Sequence, residues 1–168
     1  SGTSNWDDVK GGDGMHCDID VTNDNIQFGT YTNLQIDRTS NGWASSSSIR
    51  GSGGADWAGP LEGDPLLSNT IYIGTDAVER YNGSWTDMSA SLNSSDYLLA
   101  LDVHNDGTNL VIYTADNSDL WRSNTSGTSF VSVKNNLPSN MVTDIAIDYH
   151  NPTTTAWVTL GGYDTNNV

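Results

Sequence analysis

Leu99-Ala100-Leu101-Asp102-Val103 is one copy of a motif that recurs along the chain and decides the fold. Related stretches are Cys17-Asp18-Ile19-Asp20-Val21, Ile145-Ala146-Ile147-Asp148-Tyr149 and, more weakly, Glu62-Gly63-Asp64-Pro65. The aspartates that end the motif fall at positions 20, 64, 102 and 148, so the copies are 44, 38 and 46 residues apart. Spacings of about 40–50 residues are typical of propeller blades made of four β-strands. The repeat therefore predicts an all-β fold, a β-propeller of four-stranded antiparallel blades.

Each unit contains further apolar segments separated by polar turns, as β-hairpins do. The motif itself predicts inner strands over 15–21, 98–103 and 141–148. Second strands are predicted over 26–30, 71–75, 111–115 and 156–160, and third strands over 34–38, 78–81 and 120–123. An aromatic residue opens each fourth strand and is expected to pack between blades: Trp43, Trp85 and Phe130. The predicted blade units span about 15–50, 59–90, 97–135 and 141–168.

The two ends of the chain leave two architectures open. Residues 1–10 contain Trp6 and resemble a fourth strand, so they are predicted to form the outer strand of a preceding blade. The last unit stops after its second strand. A propeller ring needs about four to eight blades to protect its edges. We therefore expect about three full and two partial blades of a longer propeller, partnered by its remaining blades. The alternative is a four-bladed ring closed by the Trp6 strand.

Composition excludes several classes of partner. The chain has 168 residues, with 21 acidic and 6 basic side chains and a formal net charge of −15. Nucleic-acid binding relies on clustered Lys and Arg, so a nucleic-acid partner is not expected. The longest apolar run, Leu98 to Leu101, is far shorter than the roughly 20 residues of a membrane span, so no membrane insertion is expected. Cys17 is the only cysteine and is predicted to be a small core residue.

A stretch in the third unit resembles a known sequence motif. Ser123-Asn124-Thr125-Ser126-Gly127-Thr128-Ser129-Phe130 is similar to the Asp-box (BNR repeat) of sialidase-like and sortilin-like propellers, with Thr125 at the Asp position and Phe130 at the Trp position. The string from Gly11 to Ile26 looks like the secreted propellers of Bacteroidetes surface proteins that carry a C-terminal sorting domain. This resemblance implies a β-propeller at the cell surface or in the extracellular medium. Its members include hydrolases, sorting receptors and adhesins.

Residues near the start of the inner strands are the candidate site, because inner strands bring distant parts of a propeller chain to one axis. His16, Leu98 and Asp144 are aligned there, and Asp18 stands where other units have Ala100 and Ala146. A charged residue that replaces a small one in a repeat is a functional candidate. We therefore predict His16 and Asp144 as ligand-binding residues, and Asp13 or Asp18 as a carboxylate of any catalytic pair.

Other polar and aromatic residues have separate interpretations. Trp57 lies in a Gly-rich insertion beside Asp56, and an aromatic in such a loop is predicted to stack on a sugar. Arg38, Arg80 and Arg122 occupy equivalent peripheral positions and are expected to pair with local aspartates rather than to converge on a substrate carboxylate. No cofactor or transition-metal site is predicted. Calcium remains an open possibility at the turns over 20–24 and 116–119, which are rich in oxygen ligands.

The favoured function is an extracellular or cell-surface propeller module that binds glycans or proteins without catalysis in this chain. The chain lacks both a convergent set of arginines and a Gly-x-Ser-x-Gly nucleophile motif. The first alternative is a glycoside hydrolase, sialidase-like or xyloglucanase-like, that uses carboxylates on the axis. The second is a purely structural module of a large surface protein. The repeated aspartates at 20, 64, 102 and 148 are expected to cap turns.

Overall fold

A computed structural model describes residues 9–92 and 95–162 of the chain. These residues form fourteen β-strands arranged in four antiparallel sheets. Their single helical element is a 3₁₀ turn at Thr32–Leu34, so the predicted all-β class is confirmed for this part of the chain. The predicted outer strand containing Trp6 and the last residues of the final unit, 163–168, lie outside the described residues.

Sheets 1 and 2 each contain four strands that pair in the order of the chain. Sheet 1 consists of β1 (Cys17–Ile19), β2 (Gln27–Tyr31), β3 (Gln35–Thr39) and β4 (Ser46–Arg50). Sheet 2 consists of β5 (Leu61–Gly63), β6 (Ile71–Gly74), β7 (Val78–Tyr81) and β8 (Trp85–Asp87). Every neighbouring pair is antiparallel, so each sheet is a meander.

Sheet 3 repeats this meander, and sheet 4 has two strands among the described residues. Sheet 3 consists of β9 (Ala100–Asn105), β10 (Leu110–Ala115), β11 (Leu120–Ser123) and β12 (Phe130–Ser132). Sheet 4 consists of β13 (Val142–Ile147) and β14 (Ala156–Leu160). The first strands lie side by side through the molecule, with β1 next to β5, β5 next to β9, and β9 next to β13.

The sheets stack face to face in sequence order, and a separate hydrophobic core fills each of the three gaps. Phe28 and Ile36 of sheet 1 meet Ile71 and Ile73 of sheet 2 in the first core. Tyr72 and Met88 of sheet 2 meet Val103, Ile112 and Trp121 of sheet 3 in the second. Val111 and Tyr113 of sheet 3 meet Val142 and Ile145 of sheet 4 in the third.

Alternation along the second strands explains how one sheet serves two cores. Side chains of a strand point to opposite faces in turn. In β10, Val111 and Tyr113 face sheet 4 while Ile112 between them faces sheet 2, and all three are buried. A strand buried on both faces has a continuous apolar sequence, which is why this segment contains no polar residue until Thr114. Sheets 2 and 3 therefore each have one face toward the preceding sheet and one toward the next.

The repeat has a different register in its third unit from the one that the motif predicts. Asp20 Oδ1 accepts the backbone N–H groups of Thr22 and Asn23, and Asp64 Oδ1 accepts those of Leu66 and Leu67. In the third sheet Asp106 makes these bonds, to the N–H groups of Thr108 and Asn109 at 2.8 and 2.7 Å. The predicted turn-capping role of Asp102 is therefore wrong. The equivalent residues are Asp20, Asp64, Asp106 and Asp148, which are 44, 42 and 42 residues apart.

The predicted register was wrong because β9 ends two residues later than the predicted strand over 98–103. Its sequence continues Val103-His104-Asn105 after Asp102, so the apolar-x-apolar-Asp pattern occurs once inside the strand before the true turn. Asp102 lies within β9, and its Oδ2 accepts the N–H of Ile147 at 2.6 Å across the gap to sheet 4. Leu98 is 1% exposed and belongs to the second core, so it is not an axial equivalent of His16.

Two further packing predictions are wrong. Cys17 is exposed on the outer face of sheet 1 rather than in a core, although its equivalents Leu61, Val103 and Ile145 are buried. Trp43 does not open β4, because it lies in the preceding turn with a positive φ of 68° and covers the backbone of Gly29. Trp85 and Phe130 do begin their strands and pack against the first and second cores, as predicted.

Candidate functional site

A cavity of about 460 Å³ is lined by residues associated with all four sheets. It lies where the first strands begin, since His16 precedes β1, Leu99 precedes β9, and Val142 opens β13. The remaining lining residues come from the loop before β5, from the hairpin between β10 and β11, and from the start of β13 with the residue before it: Asp56, Ala58, Asn117, Met141 and Thr143. We call this space the four-sheet cavity.

Short backbone contacts hold these lining residues in place. The N–H of His16 donates to Thr30 Oγ1 at 2.8 Å, and its carbonyl accepts the N–H of Thr30 at the same distance. Asn117 donates through Nδ2 to Asp96 Oδ2. Asp56 Oδ1 accepts the N–H of Ala58 at 3.1 Å, which forms a turn in the insertion loop. The polar groups around the cavity therefore belong to turns and strand ends that hydrogen bonds hold in place.

The first strand of each sheet also carries one acidic side chain near the cavity: Asp18, Glu62, Asp102 and Asp144. We call them the acidic row. Asp18 packs against sheet 2, because a Cβ added to Gly63 would lie 2.1 Å from Asp18 Oδ2. Asp102 bonds to sheet 4 through Ile147. Only a glycine at position 63 leaves room for the Asp18 carboxylate beside β5.

Glu62 is the member of the row whose ionisation is most perturbed. Burial, followed by the negative charges of Asp102, Asp18 and Asp144, raises the pKa of its carboxyl to about 7. Burial also raises the pKa values of Asp18 and Asp102, although backbone N–H bonds from Ile19 and from Ile147 act in the opposite direction. The Glu62 carboxyl therefore keeps its proton to a higher pH than an exposed glutamate does.

The structure brings some of the predicted site residues together and leaves others apart. His16 lines the four-sheet cavity, and Asp18 and Asp144 belong to the acidic row whose charges act on Glu62. Asp13 lies exposed in the turn before β1. Trp57 is 56% exposed and does not line the cavity, although its neighbours Asp56 and Ala58 do.

Sequence reasoning missed Glu62 and misread Asp102. The corrected register aligns Asp18 with Glu62, His104 and Ala146, so that the predicted match with Ala146 is confirmed and the one with Ala100 is wrong. It aligns His16 with Asp102 and Asp144. Asp18 is therefore not a lone departure from a small-residue position, as the sequence had suggested. One feature of the sequence could have pointed to Glu62. It is one of only two glutamates in the chain, and it occupies a strand position in the weakest copy of the motif.

Arg38, Arg80 and Arg122 lie on the third strands of their sheets, as predicted, but Arg38 and Arg122 have partners other than the predicted aspartates. Arg38 donates through Nε to Asn69 Oδ1 at 2.5 Å, and Arg122 donates through Nη1 to the carbonyl of Thr153. Both bonds join one sheet to the turn after the first strand of the next. Within the described residues, no arginine forms an ion pair with an aspartate, so the expected local pairing is wrong there.

The two turns considered for calcium use their carboxylates to bind their own backbone. Asp20 Oδ1 accepts three bonds within the turn, and Asp116 Oδ1 accepts the N–H groups of Ser118 and Asp119 at 2.7 Å. Over residues 9–92 and 95–162, no three His, Cys, Asp or Glu side chains are grouped so that they could hold a metal ion.

Comparisons with known proteins find no match, either among protein-family models or among curated proteins. In the part of the chain that the structure describes, there is no helix with the length and apolar character needed to cross a membrane.

Proposed function

We propose that the four sheets are consecutive blades of a β-propeller and that this propeller binds a glycan at the four-sheet cavity without chemistry. The observation that carries the proposal is the cavity itself, whose lining joins His16 of sheet 1 to Val142 of sheet 4 although 126 residues separate them. Stacked sheets with adjacent first strands support a propeller arrangement. The resemblance to secreted Asp-box propellers supports a location outside the cell or on its surface.

The lining suits a neutral sugar. Sugars present hydroxyl groups and apolar C–H faces side by side, so a site needs both polar and apolar contacts. His16, Asp56 and Asn117 offer hydrogen-bonding groups, while Leu99 and Met141 offer apolar surface. The net charge of −15 and the adjacent acidic row oppose sialylated or sulfated glycans. We therefore propose an uncharged oligosaccharide as the ligand.

Glycan-array binding with matched histidine variants tests this proposal. We expect binding to neutral glycans, weakened about tenfold by His16→Ala or Asn117→Ala, which is the effect of losing one good hydrogen bond. His150→Ala is the control, because His150 is exposed on the turn after β13, at the other end of that strand. Absence of binding to every neutral glycan, or equal affinity of His16→Ala and the wild type, would contradict the proposed site.

One observation favours a second candidate function, a glycoside hydrolase. Glycosidases use one protonated and one ionised carboxyl group, and Glu62 with its raised pKa lies among Asp18, Asp102 and Asp144. In this alternative Glu62 donates the proton to the leaving oxygen, and Asp18 acts as the second carboxylate.

Release of reducing sugar from polysaccharides separates the candidates. Release that disappears in Glu62→Gln and persists in Glu79→Gln, the other glutamate of the chain, would establish the hydrolase. Binding without release supports the module that binds only. A chain with neither property would be a structural module.

A further inference from the structure

Two Asn-Gly pairs lie in turns that join the third and fourth strands of sheets 1 and 2. Asn41-Gly42 belongs to the turn between β3 and β4, and Asn82-Gly83 belongs to the turn between β7 and β8. An asparagine before a glycine is prone to lose ammonia, because the backbone nitrogen of the glycine reaches the side-chain amide without hindrance from a Cβ. All four residues are exposed, so exposure does not distinguish the two pairs.

Hydrogen bonds hold both reacting groups of the first pair. Asn41 Oδ1 accepts bonds from Thr39 Oγ1 and from the N–H of Ser45, each at 2.9 Å. Asn41 Nδ2 donates to Ser45 Oγ at 2.9 Å. The N–H of Gly42, whose nitrogen would have to attack, donates to the carbonyl of Asn25 at 3.1 Å. These bonds must break before the nitrogen of Gly42 meets the amide carbon of Asn41.

The second pair is free of such bonds. In the part of the chain that the structure describes, neither the side-chain amide of Asn82 nor the N–H of Gly83 has a hydrogen-bond partner. The turn is closed instead by the N–H of Asn82, which donates to the carbonyl of Ser84 at 3.2 Å. A Cβ added to Gly83 would meet no atom within 4 Å, so the space around this backbone is open.

We propose that Asn82 is a site of spontaneous deamidation in the folded protein, whereas Asn41 is protected. The backbone nitrogen of Gly83 gives its proton to hydroxide and forms a bond to Cγ of Asn82, while the bond from Cγ to Nδ2 breaks. Nδ2 leaves as ammonia after taking a proton from water. One water molecule then opens the resulting succinimide at either carbonyl, which gives aspartate or isoaspartate without any change of oxidation state.

The two products differ in their effect on the hairpin. Both make the net charge of −15 more negative by one. Isoaspartate also routes the main chain through the side-chain carbon, so the loop between Tyr81 and Trp85 gains one atom. Tyr81 and Trp85 are cross-strand partners with ring centroids 5.3 Å apart, and Trp85 Nε1 donates to the carbonyl of Ile49 at 2.8 Å. We therefore expect the isoaspartate form to unfold at a lower temperature than the Asn82→Asp variant.

Peptide mapping by mass spectrometry tests the proposal on the folded chain during incubation at 37 °C and pH 8. We expect Asn82 to convert at least about tenfold faster than Asn41, since breaking one good hydrogen bond already costs that factor. The same incubation in concentrated urea is the control, because unfolding removes the bonds of Asn41. There the two pairs should convert at similar rates.

Asn82→Gln should abolish the fast conversion and leave the slow conversion of Asn41 unchanged. Equal rates at Asn41 and Asn82 in the folded chain would overturn the proposal. It would also be overturned if Asn82 reacted in urea but stayed intact in the folded chain, because the turn itself would then protect it. These outcomes are independent of glycan binding, since neither Asn82 nor Gly83 lines the four-sheet cavity.

Discussion

The carboxylate of Asp20 holds two sheets together. Its Oδ1 closes the turn after β1, while its Oδ2 accepts bonds from Ser68 Oγ and from the N–H of Asn69 in the turn of sheet 2. Burial opposes its charge, but these bonds prevail and lower its pKa to about 2. Asp64 plays the same part between sheets 2 and 3, where Asn105 donates to it through Nδ2.

Replacing Asp20 should therefore destabilise the fold, whereas replacing its neighbour Asp24 should not. We expect Asp20→Ala to lose about 2 kcal/mol of unfolding free energy at pH 7, since the charge-assisted bonds that Thr22, Asn23 and Asn69 donate to this buried carboxylate disappear. Asp24→Ala, an exposed residue of the same turn, should change it by less than about 0.5 kcal/mol. Urea unfolding measures both. The lowered pKa of Asp20 stabilises the fold at pH values above the pKa of the unfolded chain. The difference in unfolding free energy between Asp20→Ala and the wild type should therefore vanish as the pH falls from about 4 to 2.

Glu62 should have the opposite pH dependence. Folded chains keep its proton up to about pH 7, whereas unfolded chains release it near 4.5, so this group makes stability fall as the pH rises through that window. Glu62→Gln carries no charge at any pH. We expect its Tm to match that of the wild type at pH 4 and to exceed it by a few degrees at pH 8, or about 1–2 kcal/mol. Glu79→Gln should follow the wild type throughout, and a parallel Glu62→Gln curve would show that Glu62 ionises normally.

At the scale of elements, the hairpins could be predicted, and so could the first strands β1 and β13, which lie within the predicted ranges 15–21 and 141–148, whereas β9 runs past its predicted end at residue 103. β7, β11 and β14 have the predicted bounds, because a turn of polar residues stops an apolar segment at both ends. The first strands mix Asp, Glu and His among apolar residues, since they carry the acidic row as well as side chains of the cores. The alternation of apolar and polar residues does not show where such a strand ends. For that reason the prediction placed the turn aspartate of the third unit at Asp102, four residues before Asp106. The predicted site was wrong at two positions as a result: Leu98 was aligned with His16, and Asp102 was assigned to a turn.

Close approach between β6 and the chain entering β9 depends on Gly74. A Cβ at this position would lie 2.8 Å from Leu98 Cβ and 2.8 Å from Pro60 Cγ, and neither neighbour can rotate away. We expect Gly74→Ala to cost about 2 kcal/mol through overpacking between sheets 2 and 3. Gly51→Ala, whose added methyl meets no atom within 4 Å, should be nearly neutral in the same chemical denaturation experiment. Equal stability of the two variants would mean that the sheets separate readily at this point.

For the whole molecule, the stacked architecture explains how a chain with 35% hydrophobic residues folds at a net charge of −15. Apolar side chains are concentrated in three cores between sheets, whereas aspartates such as Asp64, Asp106 and Asp116 lie in turns, where backbone N–H groups solvate them. Turn aspartates satisfy local bonds but still repel one another over distance. The acidic row adds repulsion where the first strands meet.

Salt should therefore stabilise this protein against heat. Raising NaCl from 10 mM to 0.5 M at pH 7 shortens the screening length to a few ångströms and should raise Tm by several degrees, equivalent to about 1–2 kcal/mol. Measurement at low protein concentration removes any contribution from association. The increase should shrink as the pH approaches the point of zero net charge, because protonated carboxyl groups no longer repel. A salt effect of the same size at both pH values would instead indicate strengthened apolar burial, and the charge of the turns would then have no part in limiting stability.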